Sequence, residues 1–264
     1  MGSCTSHHVT IHAFSGFLGR PDDWSFLPRT IPTLGDLPVF WKLQIVDPLE
    51  GENWNDWSVR WLCENPRSMD SSEILLGYSL GGRAGLHLAL NEPSRFQGLI
   101  AISTNPGLES EEERADRRKH DEQWALRFLQ EPWAQVLSAW DRQPVFQNSA
   151  LPERLSARYG QEASPEIFRQ SERLRCARQL RQLSLGAQQS LSRALQQLAL
   201  NQVWMTGAHD LRYSSLAETL THQRHQMRWS RIPNTGHRWP WELSEKDSAE
   251  QIRSALSWLL NPSG

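Results

Sequence analysis

Lysine is nearly absent from this chain of 264 residues: only Lys42, Lys119 and Lys246 occur, leaving arginine as the other 25 of its 28 basic side chains. The net charge is only -2, so the chain lacks the basic excess that a general nucleic-acid binder carries, and no such partner is expected. Arginine suits forked recognition of carboxylate or phosphate, although codon bias in a GC-rich genome produces the same skew. Cysteine is also scarce. Cys4, Cys63 and Cys176 are odd in number and widely spaced, which excludes a disulfide framework or a metal-ligand pair and suits a reducing compartment. No apolar run reaches the roughly 18 residues that span a bilayer. Residues 1–10 hold no hydrophobic signal-peptide core, so the chain is expected to be soluble and cytoplasmic. A literal myristoylation match, Gly2 with Ser6, is set aside because a strand begins by Val9. The length fits one large domain or two small ones, enough to bury a core without a disulfide or metal staple.

What is present is an alternation. Short β-branched runs at 9–12, 43–46, 73–76 and 98–102 read as strands, with helical patterns at 53–64 and 84–90 between them. Strand signals return at 202–205 and 226–229, and an amphipathic helix is expected over 248–260. Strand-then-helix order implies a mostly parallel sheet with helices on both faces, an α/β fold. The alternation stops after Ser103, and Arg, Glu, Gln and Leu dominate without a convincing strand until about residue 197. The expected organisation is therefore a core in two parts, 1–104 and 198–264, with a helical cap inserted at 105–197.

Gly77-Tyr78-Ser79-Leu80-Gly81 falls between the 73–76 strand and a helix starting near Gly82. A G-x-S-x-G in that context is a nucleophile elbow, whose small flanking residues let a tight turn lift the serine above the sheet edge. Serine needs a neighbouring base with an orienting acid. In the α/β-hydrolase fold these follow in the order Ser, Asp or Glu, His. Asp210 follows the 202–205 strand and His237 follows the 226–229 strand, so Ser79, His237 and Asp210 form the candidate triad. The loop Ser15-Gly16-Phe17-Leu18-Gly19 follows the first strand, which makes the backbone N–H groups of Phe17 and Leu80 the candidate oxyanion hole.

These motifs extend into the helical insert. Asp23-Trp24, Arg83, Asn105-Pro106-Gly107-Leu108, Glu112-Glu113-Arg114-Ala115, Asp121-Glu122-Gln123-Trp124-Ala125, Arg127-Phe128-Leu129, Trp140, Gln143-Pro144-Val145-Phe146, Ser184-Leu185-Gly186-Ala187-Gln188 and Gly236-His237 with Glu242 form one pattern. The chain resembles the 2-succinyl-6-hydroxy-2,4-cyclohexadiene-1-carboxylate synthases of menaquinone and phylloquinone biosynthesis over nearly its whole length. That resemblance implies a lyase that eliminates pyruvate from 2-succinyl-5-enolpyruvyl-6-hydroxy-3-cyclohexene-1-carboxylate, with the triad acting as base. It implies no metal and no organic cofactor. The small polycarboxylate substrate would meet Arg83, Arg114 and a later cap arginine, Arg169, with Arg173 as the alternative. Tyr78 and Trp140 would line the pocket.

Four departures accompany the resemblance. Ser15 stands where the family usually has histidine, and Asp141 stands where tyrosine commonly follows the insert tryptophan. The second histidine often found after Gly-His is replaced around Pro240, and Asp47-Pro48-Leu49-Glu50-Gly51 replaces a glycine-rich turn. On the triad and oxyanion loop alone, a carboxylesterase or thioesterase remains the other reading. A non-enzymatic binding module would be expected to have a broken triad.

Overall fold

The computed structural model describes residues 8–68, 70–149 and 166–261, the last segment with side chains from Gln170 onward. Seven strands, β1 (His8–Phe14), β2 (Thr33–Leu34), β3 (Leu37–Gln44), β4 (Ser71–Tyr78), β5 (Phe96–Ile102), β6 (Asn201–Gly207) and β7 (Met227–Ile232), form one sheet. Its order is β2-β3-β1-β4-β5-β6-β7, parallel throughout except for the β2–β3 pair. The helices are α1 (Phe26–Thr30), α2 (Trp54–Glu64), α3 (Leu80–Asn91), α4 (Glu111–Gln130), α5 (Trp133–Asp141), α6 (Glu166–Gln182), α7 (Ser192–Gln197), α8 (Leu211–Thr221), α9 (Trp239–Glu242) and α10 (Glu245–Leu260).

The central strands are buried on both faces, as parallel strands between helical layers must be. Alternate residues therefore enter different cores. Ile74 and Leu76 of β4 join Ile252 and Leu256 of α10 on one side, whereas Leu75 joins Trp54, Trp57 and Trp61 of α2 and Leu86 of α3 on the other. The second strand begins well before the expected 43–46. Leu37, Val39, Trp41 and Leu43 pack against the core while Phe40 is exposed, a period-two pattern obscured by Pro38 and Lys42.

A buried polar chain ties β1, β3, β4 and α2 together. The Trp61 indole N–H donates to Gln44 Oε1 at 2.7 Å, which leaves the Gln44 amide nitrogen to donate to His12 Nδ1 at 3.1 Å. Nε2 of His12 must then carry the proton, and it donates to Glu73 Oε2 at 2.9 Å. Burial favours this neutral imidazole, holding the His12 pKa below its ordinary value. The positive partner of Glu73 is Arg95, at 2.8 Å. Burial opposes the Glu73 charge, but hydrogen bonds from His12 and Arg95 outweigh it and bring the carboxyl to about 2.

Helices α4 to α7 all lie between β5 and β6. Helix α4 opens with a reciprocal capping box in which Ser110 Oγ accepts from Glu113 N–H at 3.1 Å. Its surface is polar nearly all round, and it is held by Trp124, Ala125 and Phe128. These join Val136 and Leu137 of α5 and Cys176, Ala177 and Leu180 of α6 in a third core. Phe17 and Leu18 of the loop after β1 pack against this same cluster. Arg178 pairs with Asp47 at 3.2 Å, and Gln179 Nε2 donates to the Val46 carbonyl, so α6 is tied to the segment after β3.

Candidate active site

Ser79 occupies the turn between β4 and α3 with φ 52° and ψ -108°, a left-handed conformation that costs on the order of 1–3 kcal/mol and persists only where its surroundings enforce it. The enforcement is visible. Ser79 N–H donates to the Ile102 carbonyl of β5 at 2.9 Å, and α3 starts at once, with Arg83 N–H on the Ser79 carbonyl at 3.1 Å. The turn closes so tightly that a Cβ on Gly77 would stand 2.2 Å from the Gly81 carbonyl oxygen. A Cβ on Gly81 would stand 2.3 Å from the Phe14 carbonyl oxygen. These close approaches, rather than positive φ, explain the glycines of the motif.

Asp210 follows β6 and His237 follows β7, and the two meet across the loop ends: His237 Nδ1 lies 2.7 Å from Asp210 Oδ2, with both side chains buried. That bond fixes Nδ1 as the donor and leaves Nε2 available to act as a base. The His237 ring is boxed by Tyr213 at 4.6 Å, Tyr78 at 5.5 Å and Phe146 at 5.7 Å between centroids. Burial pushes the Tyr78 and Tyr213 hydroxyls upward, so both remain neutral phenols. Ser79 Oγ makes no hydrogen bond to another described residue, a geometry that catalytic serines often tighten only with substrate bound.

The histidine loop is held by Glu242 of α9. Its carboxylate accepts the Gly236 N–H at 2.8 Å, the Arg238 N–H at 3.1 Å and the Ser149 hydroxyl. On the opposite side, Ser15 Oγ donates to the Arg20 carbonyl at 2.7 Å and Gly19 N–H reaches the Gly16 carbonyl at 2.9 Å, closing the loop that carries Phe17. Neither the Phe17 nor the Leu80 N–H is taken by another described group. A cavity opens beside this loop, walled by Gly16, Phe17, Tyr78, Trp140, Asp141 and Arg238 among others. Trp140 packs against Phe17 with centroids 4.5 Å apart and ring planes tilted by 41°.

The arginines divide. Arg83 lies over the Trp54 ring at 5.2 Å and uses Nη1 on the Leu183 carbonyl at 2.7 Å and on Gln188 at 3.3 Å. Burial, then the charge of Arg117, lowers its pKa to about 10, so it stays cationic at neutral pH. Arg114 is turned elsewhere: its guanidinium donates to the Leu108 and Glu109 carbonyls at 2.8 and 3.0 Å and pairs with Glu111, which closes the first turn of α4 instead of facing the triad. Arg173 likewise ties α6 to the Phe128 and Glu131 carbonyls. The Arg169 side chain lies outside the described residues. Sequence reading missed Arg117, which pairs with Asp121 at 2.8 Å and interacts electrostatically with both Arg83 and Tyr213. Counting back in helical steps from Trp124 through Asp121, the inward face of α4, would have reached it.

Among the described residues no group of three or more His, Cys, Asp or Glu is arranged to hold a metal ion, and no helix is long and apolar enough to cross a membrane.

The model of the alpha/beta hydrolase fold matches residues 57–237. Relatives called 2-succinyl-6-hydroxy-2,4-cyclohexadiene-1-carboxylate synthase include one from Enterobacter sp. (strain 638), 37% identical over 229 residues, covering 84% of this chain and 82% of that protein. Another, from Photorhabdus laumondii, is 38% identical over 164 residues, or 62% of this chain and 55% of that protein. The chain thus spans only about half the length of some curated relatives it matches and four fifths of the Enterobacter protein. Among solved structures, MenH from S. aureus superposes with a TM-score of 0.79 at 21% identity, covering 97% of this chain and 96% of its own. A thermophilic esterase from Thermogutta terrifontis gives a TM-score of 0.65 at 17% identity, covering 97% and 92%. The chain belongs to the 2-succinyl-6-hydroxy-2,4-cyclohexadiene-1-carboxylate synthase family within the alpha/beta hydrolase fold.

Proposed function

We propose that this protein eliminates pyruvate from 2-succinyl-5-enolpyruvyl-6-hydroxy-3-cyclohexene-1-carboxylate to give 2-succinyl-6-hydroxy-2,4-cyclohexadiene-1-carboxylate. The observation that carries this reading is the 37% identity to the Enterobacter synthase across 82% of that protein. The Asp210–His237 contact of 2.7 Å beneath a strained Ser79 supplies a base for it.

The ring hydrogen to be removed sits on the carbon bearing the succinyl group, α to a ketone. His237 Nε2 takes the Ser79 hydroxyl proton as Oγ takes the ring proton, and Asp210 stabilises the imidazolium through Nδ1. The electron pair released passes onto the ketone oxygen, where the Phe17 and Leu80 N–H groups meet the developing charge. It returns as a double bond between the succinyl-bearing carbon and its neighbour. The existing ring double bond shifts one position, and the carbon–oxygen bond to the enolpyruvyl group breaks. The enolate takes up a proton and departs as pyruvate. Arg83 and Arg117 balance substrate carboxylates, and Trp140 and Tyr78 form the walls of the pocket.

We take residues 105–197 as the cap of the site, carried by a core formed from 1–104 and 198–264. The free thiols of Cys63 and Cys176 suit a reducing compartment, and we place the reaction in the cytoplasm. The test is pyruvate release coupled to lactate dehydrogenase: the wild type should form pyruvate stoichiometrically with loss of substrate, and Ser79→Ala should not. Turnover of acyl esters without pyruvate would return the chain to the serine-hydrolase reading.

A further inference from the structure

Arg238 follows His237 directly, yet its side chain takes no part in the triad. Its backbone N–H is fixed by Ser149 Oγ at 2.9 Å and Glu242 at 3.1 Å, and its guanidinium lies over the Phe146 ring at 3.8 Å. One edge, through Nη2, is bound by Asp141 at the end of α5, and both side chains are largely buried. Nε and Nη1 meet no described hydrogen-bond partner, and Arg238 and Asp141 both belong to the wall of the cavity beside Tyr78 and the Phe17 loop. Asp141 Oδ2 is likewise buried without a partner. An acid in the wall of a pocket for anions is thus neutralised by the arginine beside it. That arginine is held rigidly from three sides while its Nη1 donor stays available.

We propose that Arg238 is a carboxylate-recognition residue of this site, its unengaged Nη1 receiving one carboxylate oxygen of the substrate while Asp141 and Phe146 hold the guanidinium in place. A planar fork already stacked and paired loses little freedom on binding, and a charge-assisted pair in a partly dry cavity is stronger than its exposed equivalent. This assignment rests on the proposed polycarboxylate substrate, but its test does not depend on turnover.

The probe is 2-succinylbenzoate, a stable aromatic diacid with the carbon frame of the proposed product, together with its two monomethyl esters. Binding is followed by calorimetry on the intact protein. In the wild type the free diacid should bind at least about tenfold more tightly than one of the two esters, the size expected for one charge-assisted contact. Arg238→Gln should weaken the diacid by about 10- to 100-fold and bring that acid-to-ester ratio close to one. Because Arg238→Gln leaves Asp141 buried without its partner, the double variant Asp141→Asn/Arg238→Gln provides a neutral, paired version that should fold and show the same lost discrimination. In the turnover assay the loss should appear in KM, with kcat within a few-fold. Unchanged diacid affinity in a folded variant, or wild-type discrimination between acid and esters, overturns the assignment. Absence of pyruvate release by the wild type would instead refute the proposed reaction, and the binding series would still decide Arg238.

Discussion

Removing the Glu242 carboxylate tests whether the histidine loop is held from outside the triad. In the wild type this group accepts the Gly236 N–H at 2.8 Å, the Arg238 N–H at 3.1 Å and the Ser149 hydroxyl, and so it spans both neighbours of His237. Glu242→Ala leaves Gly236 N–H without an acceptor, while Arg238 N–H retains Ser149 Oγ at 2.9 Å. One orphaned backbone donor and one weakened one cost about 2–4 kcal/mol in total. For a chain of this size that corresponds to a melting point lower by about 4–7 °C. Displacement of His237 should also lower kcat by about 100-fold, since misplacement of a catalytic group by an ångström has that effect. Glu242→Gln keeps one carbonyl acceptor and should lose less than half as much in either measurement. Thermal unfolding followed by tryptophan fluorescence, together with the pyruvate-coupled assay, gives both readouts. A Glu242→Ala protein melting within about 2 °C of the wild type with kcat within twofold would refute the idea that this carboxylate positions the base.

Three further outcomes follow from the geometry. Asp210→Asn should lower kcat by about 1,000- to 10,000-fold with little change in KM, because the 2.7 Å contact sets the His237 tautomer and not substrate binding. Arg83→Gln should raise KM by at least about tenfold, whereas Arg114→Gln should leave KM unchanged and lower the melting point by a few degrees at most, because Arg114 serves the start of α4; steady-state kinetics on the pair decides it. Glu73 carries a folded pKa of about 2 against an ordinary 4.5, so its contribution to stability is complete above 4.5 and is lost as pH falls towards 2. Urea denaturation between pH 5 and 2.5 should therefore fall off less steeply for Glu73→Gln than for the wild type, and equal slopes would refute the reading.

The parts of the site legible in the sequence were those fixed by local order. Ser79, Asp210 and His237 each stand just beyond a strand of recognisable composition, and parallel strands bring their carboxyl ends to one edge of the sheet. What was illegible depended on which way a side chain turns within an element whose location was correctly inferred. Arg114 and Arg117 are nearly one turn apart on the same helix, and only tertiary contacts separate their roles: Arg114 takes the Leu108 and Glu109 carbonyls, whereas Arg117 takes Asp121 and interacts electrostatically with Arg83. The Arg238–Asp141 pair joins positions 97 apart, so the sequence registered Asp141 merely as an unexplained acid near an anion site. Strand β3 was foreseen only at its far end, because Pro38 and Lys42 on the exposed face broke the apolar run that the buried face maintains.

Phe17 has a double allegiance: its backbone N–H is the donor we propose for the reacting oxygen, and its ring is packed among the helices between β5 and β6 against Phe128 and Trp140. Half of the proposed oxyanion hole is therefore mechanically part of the inserted helices and not only of the sheet that carries the serine. Substrate preference and transition-state stabilisation cannot be inherited separately here. A chimera that exchanged the helices between β5 and β6 for those of a relative would also reset the donor that turnover depends on, unless the Phe17 contacts were transplanted with them. In a lineage changing its substrate, the residues facing Phe17 would be expected to change last, or together.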